Sequence, residues 1–334
     1  MKRKATESAD VPDDTYIDGQ VCEAAIKRLT DFKVTNKPFF LAVGFRKPHL
    51  PFCAPQRYWE LYERDDIPRP VHPNHPTNAP ELATRSWKEL EGYTDIPTDG
   101  NLTSTKIQQL RHGYYACVSY IDAQIGRILK HLSGLNLADN TLVVIWGDHG
   151  FHLGEQRLWT KANNYELSTR VPLIIALPNK TQGSNTTKGT GNTTTCNKLV
   201  ELVDLYPTLV ETCGLTLPSG LEGTSFSPLL KDPEQAWKPA AFSQHPRATT
   251  SNRHRNHGDV MGYAVRTPRY RYVEWRQWKS GKVVARELYD YSNSDSETEN
   301  CIGSAQYTQA QQQLERILAA GWQHAKPPKE KHAP

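Results

Sequence analysis

No run of apolar residues in this chain approaches the roughly eighteen that a membrane-spanning helix requires, so no helical span is expected. The basic start, Met1-Lys2-Arg3-Lys4, is followed by no apolar segment, which leaves no signal peptide in the sequence as it stands. The six cysteines (Cys22, Cys53, Cys117, Cys196, Cys213 and Cys301) form no C-x-x-C pair and no disulfide-dense spacing. Their even number permits bridges, but a chain of this size needs none for stability. Charge of one sign is also scarce: 40 basic against 36 acidic residues leave +4, too little to argue for nucleic acid. No internal repeat is visible. What is present is 334 residues, 37% apolar and 23% charged, enough for one large domain or a large domain with a smaller one attached. Four N-x-[S/T] sequons, at Asn101, Asn179, Asn185 and Asn192, would accept glycans in a eukaryotic secretory protein. Such tripeptides also arise by chance in Asn/Thr-rich loops.

The pattern of apolar residues predicts alternating helices and strands. Residues 19–33 read as a helix with Asp18 as N-cap, followed by a solid apolar run, 39–45, that suits a strand covered on both faces. The proline- and charge-rich stretch 46–100 is too long for a simple connection and reads as a packed, functional excursion. A long helix carries Ile107, Leu110, Tyr114, Val118, Ile121, Ile125, Ile128 and Leu132 on one stripe, with Thr105 and Gln108 as a capping box and Gly134 as a stop. Strands at 141–146 and 171–176, a Gly/Thr/Asn-rich loop at 180–197 and a helix at 199–213 complete an α/β core with a mostly parallel sheet flanked by helices. That core is assigned to residues 1–235. Residues 236–334 read as a small antiparallel α+β subdomain, with strands near 262–266, 270–275 and 285–289 and a closing helix near 309–322.

Chemistry is expected where strands end, because ligands of an open parallel sheet bind at the carboxyl rim. One strand runs into Arg46-Lys47-Pro48-His49-Leu50-Pro51-Phe52, another into Gly147-Asp148-His149-Gly150-Phe151-His152, and Lys161 follows thirteen residues after Asp148. Asp148 offers oxygen and His149 a ring nitrogen to a divalent cation. Lys161 and His49 can neutralise or protonate an anion beside it. The plainer reading makes Asp-His-Gly a turn with Gly150 at positive φ, His49 a packed loop histidine and Lys161 a solvated charge.

The segment from Phe39 to Phe52 closely resembles a signature of the sulfatases, most closely of their iduronate-2-sulfatase branch. So do Gly147 to Glu155 with Leu158-Trp159-Thr160-Lys161, Arg170 to Ile174, Val203 to Leu209, Met261 to Thr267 and Glu287 to Asp290. The likeness runs in order from about residue 10 to 300. It implies the alkaline-phosphatase-like α/β fold and hydrolysis of a sulfate ester on a sugar or glycosaminoglycan. It further implies a formylglycine nucleophile made from cysteine and a calcium ion that holds the sulfate. On this resemblance Asp148 and His149 correspond to two calcium ligands, Lys161 to the lysine on a sulfate oxygen, and His49 to the histidine near the ester oxygen. The family's first strand with its paired aspartates, and its nucleophile segment, are expected upstream of this sequence. The resemblance points to a lysosomal, secreted or periplasmic setting and leaves the oligomeric state open.

Two segments of this sequence superficially match those parts. Asp13-Asp14 lacks a preceding apolar strand and reads as a helix-entry pair. Cys53-Ala54-Pro55-Gln56-Arg57 fits the C-x-P-x-R core recognised for formylglycine formation, yet it lies just beyond His49, with Gln56 where serine usually stands. It reads as a loop cysteine. The Arg253–His257 charge run reads as exposed loop, and Tyr270, Tyr272, Trp275 and Trp278 as strand packing. Two rival functions remain: a related phosphatase or phosphodiesterase, and a catalytically inactive fragment or pseudoenzyme that at most binds sulfated glycans. These 334 residues alone are expected to show no turnover.

Overall fold

The computed structural model describes residues 3–85, 88–178, 194–248, 258–292 and 296–328. The sequons at Asn179, Asn185 and Asn192, most of the 180–197 loop and the Arg253–His257 stretch lie outside the described residues.

Two long helices pack beside a short parallel ribbon. Strand β1 (Thr6–Ala9) pairs in parallel with β2 (Phe52–Pro55), Thr6 facing Phe52 and Ala9 facing Pro55. Helix α2 (Ser104–Gly134) covers this ribbon, with Leu50, Phe52, Ala54, Trp59, Leu110, Ala116 and Tyr120 in one buried cluster, and helix α1 (Ile17–Thr35) packs along α2. Leu110 and Ile121 of the stripe read from α2 lie in this core with Tyr114 and Ile125 packed against it, whereas Val118 is exposed and Ala116, Cys117 and Tyr120 join the core from off the stripe. Its cap differs from the expected one: the Thr103 hydroxyl, rather than Thr105, accepts the Lys106 N–H at 3.2 Å. Asp18 is likewise no cap. Tyr16 holds that position, and Asp18 lies in the first turn of α1, 1% exposed, with a task described below. The β1 strand has no counterpart in the sequence reading, because four residues with a single apolar side chain, the half-buried Ala9, carry too little period to be seen.

Strand β3 (Val143–Trp146) pairs with β6 (Leu173–Ala176). Between them lies a small hairpin of β4 (His152–Leu153) and β5 (Trp159–Thr160). The β3–β6 pair is antiparallel, Trp146 facing Leu173, so the apolar character of both strands identified them but not their direction. The 39–45 run forms no strand among the described residues, since no described strand lies alongside it. Phe40, Trp146 and Ile174 are exposed there. Helix α3 (Leu205–Thr212) starts later than expected. Asp204 folds the preceding turn by accepting the Glu201 N–H at 2.9 Å and two of the three hydrogen bonds of the buried Lys238 ammonium, each at 2.8 Å.

The C-terminal part is a four-stranded antiparallel sheet in the order β10-β9-β8-β7, built from β7 (Ala241–Arg247), β8 (Val260–Arg266), β9 (Tyr270–Gln277) and β10 (Val283–Asp290). Helix α4 (Thr308–Ala320) closes one face with Leu314 and Leu318 over Val265, Tyr272 and Leu288. Tyr272 and Trp275 are core residues, as their period suggested, whereas Trp278 is exposed. All six cysteines are free thiols. Asp13 and Asp14 sit in a single turn ahead of α1, where Asp13 pairs with Arg57 and accepts from Tyr58 and Gln124.

Two glycines of α2 show where the packing is tight. A Cβ on Gly113 would stand 2.8 Å from Trp59 and 2.9 Å from Phe52, while one on Gly126 would meet nothing within 4 Å. Gly113→Ala is therefore expected to cost about 1–3 kcal/mol by overpacking. Gly126→Ala should gain up to about 1 kcal/mol from helix propensity. Urea midpoints of the two variants moving in the same direction would contradict this account of the ribbon–helix contact.

Candidate active site

A buried carboxylate brings the His49 segment into place. Asp18 accepts the backbone N–H of Arg46 at 2.7 Å and of Lys47 at 3.2 Å, pinning the loop onto the start of α1. The Lys47 ammonium turns inward and donates to the carbonyls of His49 at 3.0 Å and Pro51 at 2.6 Å. Burial lowers its pKa below the ordinary lysine value. Lys47 thus braces the loop, and His49 is left to face outward from it.

On the other side, β3 delivers Asp148 and His149. Gly150 then passes so close to the turn Glu166–Thr169 that a Cβ would lie 2.0 Å from the Leu167 carbonyl oxygen. This close approach, and not the positive φ expected for a turn, is what requires glycine. The β4–β5 hairpin follows, turning at Gly154 with φ +104° and tied to α2 by Glu155, which accepts from Arg111 at 2.6 Å. Lys161 emerges from β5. The residues after it are moored to the C-terminal sheet: Asn164 donates to the Gly262 carbonyl at 3.1 Å, and Tyr165 donates to Glu287 at 3.1 Å. The Glu166 N–H meets the Glu297 carboxylate at 3.0 Å.

These segments converge. Lys161 Nζ lies 2.6 Å from His49 Nε2, and the His49 and His149 rings stand 6.3 Å apart, edge to face. Phe151 packs against both rings, at 6.4 and 6.5 Å, and forms an apolar floor with Phe52 and Tyr114. The sequence reading placed His49, His149 and Lys161 at one rim, and the structure gathers them. Asp148 is adjacent but points to solvent, 85% exposed, with its Oδ1 3.7 Å from His149 Nε2. His152, the third imidazole of that motif, does not join them. It is buried in the hairpin against Tyr165, and burial lowers its pKa to about 4.

One member of the cluster was not foreseen. Glu89, from the long excursion, presents both carboxylate oxygens to Lys161, at 3.1 and 2.9 Å, and Oε1 lies 3.1 Å from His49 Nε2. Its pKa is held down to about 2, first by the hydrogen bond from His49 and then by the bond and charge of Lys161, against the upward push of burial. Nothing marked it in advance, because it is one acid among many in an irregular stretch. Asp18 and Phe151 were missed for a similar reason: their roles depend on contacts distant in sequence.

The ring tautomers follow from the acceptors around them. His49 Nδ1 faces the Leu50 carbonyl and His149 Nδ1 the Gly150 carbonyl, each at 2.8 Å. A carbonyl only accepts, so both Nδ1 atoms carry protons, and in the neutral rings both Nε2 atoms present lone pairs. His49 Nε2 then accepts from Lys161. Protonated, it donates to Glu89 instead. Cys53 stands apart on β2, its thiol pushed up by burial, with Cys117 Sγ donating to its carbonyl at 3.6 Å.

A calcium ion takes six to eight oxygen ligands in general. Among the described residues no group of three or more His, Cys, Asp or Glu side chains is placed to hold a metal. Asp148 and His149 are two compatible donors, and they do not by themselves make a calcium site.

Comparison with known proteins now bears on this cluster. The Sulfatase family model matches residues 3–215, and the model for the N-sulphoglucosamine sulphohydrolase C-terminal region matches residues 154–323. The chain belongs to the sulfatase family. It is 30% identical to iduronate 2-sulfatase of Mus musculus over 355 residues, covering 90% of this chain and 64% of that protein. The Homo sapiens iduronate 2-sulfatase is also 30% identical, with 89% of this chain and 64% of the relative covered. The chain therefore spans somewhat less than two thirds of the length of these two relatives. Among solved structures, the phosphonate monoester hydrolase of Silicibacter pomeroyi superposes with a TM-score of 0.74 at 20% identity, covering 96% of this chain and 62% of that one. Another, solved with its substrate D-glucosamine-2-N,6-O-disulfate, gives 0.66 at 21% identity, covering 90% and 69%. The fold is the alkaline-phosphatase-like α/β fold with a C-terminal antiparallel sheet.

The depressed pKa of Glu89 sets a pH window for this sulfatase cluster. A carboxylate whose folded pKa lies below its ordinary 4.5 stabilises the fold above that value, and the contribution fades as pH falls from 4.5 through about 2. Glu89→Gln should lower stability at pH 7 by up to about 3 kcal/mol, less for partial exposure. The gap between wild type and variant should shrink steadily below pH 4.5. A gap of constant size from pH 7 to pH 3, measured by urea unfolding, would contradict the ion-pair geometry.

Proposed function

We propose that this chain serves the hydrolysis of sulfate esters of sugars, with Lys161 and His49 as the anion subsite and turnover requiring the family's nucleophile in addition. The observation that carries this reading is the Lys161–His49 contact beside His149, assembled from segments 112 residues apart. A primary ammonium fixed next to an imidazole whose Nδ1 is already bound is suited to a tetrahedral anion. Lys161 neutralises a nonbridging oxygen. His49 Nε2 lies where charge grows on the departing ester oxygen and, when protonated, donates to it. The Phe151 floor keeps one side of the subsite dry, which strengthens both interactions. Sulfated sugars are the favoured substrates because iduronate 2-sulfatase and the structure bound to D-glucosamine-2-N,6-O-disulfate are among its relatives and neighbours.

Asp148 and His149 are assigned as two ligands of calcium, the rest coming from water, substrate or polypeptide outside the described residues. The nucleophile of this reading is the family's formylglycine, which no member of the cluster supplies. That gap favours a second reading, in which these residues bind a sulfated glycan without turning it over.

Initial rates with 4-nitrophenyl sulfate and 4-nitrophenyl phosphate, alongside calorimetric binding of phenyl sulfate, separate the readings. Sulfate turnover exceeding phosphate turnover, and falling about 10²- to 10³-fold in Lys161→Ala, is expected of a sulfatase using this subsite. Faster phosphate turnover would favour a phosphatase. Binding that needs Lys161 but brings no turnover would decide for the non-catalytic reading, and binding indifferent to Lys161 would remove the subsite. Calcium should bind this chain only at roughly millimolar concentration and lose its affinity in Asp148→Asn. Micromolar or tighter binding would show that the two donors are not the whole site.

A further inference from the structure

Glu89 closes a triangle with the two groups assigned to the anion. Both of its oxygens lie on Lys161, and one of them also reaches His49 Nε2. An anion that touches Lys161 and His49 together must therefore come close to this carboxylate. The side chains of His49, Glu89 and Lys161 are 28%, 21% and 23% exposed, so their charges are only partly screened. Lys161 supplies one positive charge and Glu89 cancels it, leaving the cluster neutral with a neutral imidazole and +1 with a protonated one. Lys47 does not add to the count, because its ammonium is turned into the loop carbonyls. These three side chains by themselves balance one negative charge, not two, and Glu89 repels the second whatever the neighbouring Asp148 and His149 hold.

We infer that Glu89 is a specificity-determining residue that admits singly charged tetrahedral esters, such as a sulfate monoester, and rejects doubly charged ones, such as a phosphate monoester. The inference rests on Lys161 and His49 holding the substrate's anion, as proposed above. Sulfate and phosphate monoesters are nearly alike in shape, so contacts alone separate them poorly. Their charges differ by one at alkaline pH, since the second phosphate proton leaves near pH 6. A second negative charge about 5 Å from a half-buried carboxylate costs roughly ten- to a hundredfold in affinity.

Three ligands measured by titration calorimetry at pH 8 test this: phenyl sulfate and methyl phenyl phosphate, each singly charged, and doubly charged phenyl phosphate. Wild type is expected to bind the first two within a few-fold and phenyl phosphate about tenfold or more weakly. In Glu89→Gln, phenyl phosphate should tighten by about tenfold or more relative to the singly charged pair. Glu89→Asp keeps the charge and should keep the discrimination, which a merely structural role for Glu89 would not predict. Wild type binding phenyl phosphate as well as methyl phenyl phosphate would overturn the inference without any variant. So would a ratio unchanged in Glu89→Gln while phenyl sulfate binding still depends on Lys161, and that result would leave the subsite standing. Failure of all three ligands to bind wild type would remove the subsite itself and this inference with it.

Discussion

The ion pair between Glu89 and Lys161 is the contact on which the site depends. The two residues are 72 positions apart, and His49 is 112 from the lysine, so neither local helix nor local turn could bring them together. Two cationic groups in contact would repel one another whenever the imidazole is protonated. A carboxylate shared between them turns that repulsion into attraction and holds an irregular excursion against the hairpin. The same carboxylate makes the subsite economical in charge. An uncompensated lysine over an apolar floor would be costly to bury and would attract any anion.

The scaffold beneath this pair is a set of braces that do no chemistry. Asp18 spends a fully buried carboxylate on two backbone N–H groups, each such charge-assisted bond worth about 1.5–3 kcal/mol. Lys47 spends a buried ammonium on two carbonyls of the same loop. Gly150 lets β3 run close under the turn that follows Lys161. Together they fix the backbone that carries His49, His149 and Lys161.

The sequence disclosed those three side chains because the sulfatase motifs around them are long; of the two strand ends invoked, only that of β3 is formed among the described residues. Helix α2 and three of the four C-terminal strands, β8 to β10, were legible from their period, whereas β7 was not. Nor was the direction of β6, since an apolar run looks the same in either pairing. Residues 39–45 show the opposite limit: composition suited to a buried strand does not make one where no described neighbour offers hydrogen bonds. Glu89 and Asp18 were invisible because an isolated acid carries no pattern. Their meaning exists only once distant segments meet.

The mooring of the segment after Lys161 through Asn164, Tyr165 and Glu166 has an evolutionary corollary. The ammonium inherits its position from Gly262, Glu287 and Glu297, all on or beside the antiparallel sheet. A recombination event that exchanged that sheet as a module would exchange the lysine's anchorage with it. Drift in the two halves is thereby coupled, and a chimera would have to restore this tether before it could recover a subsite of the same shape.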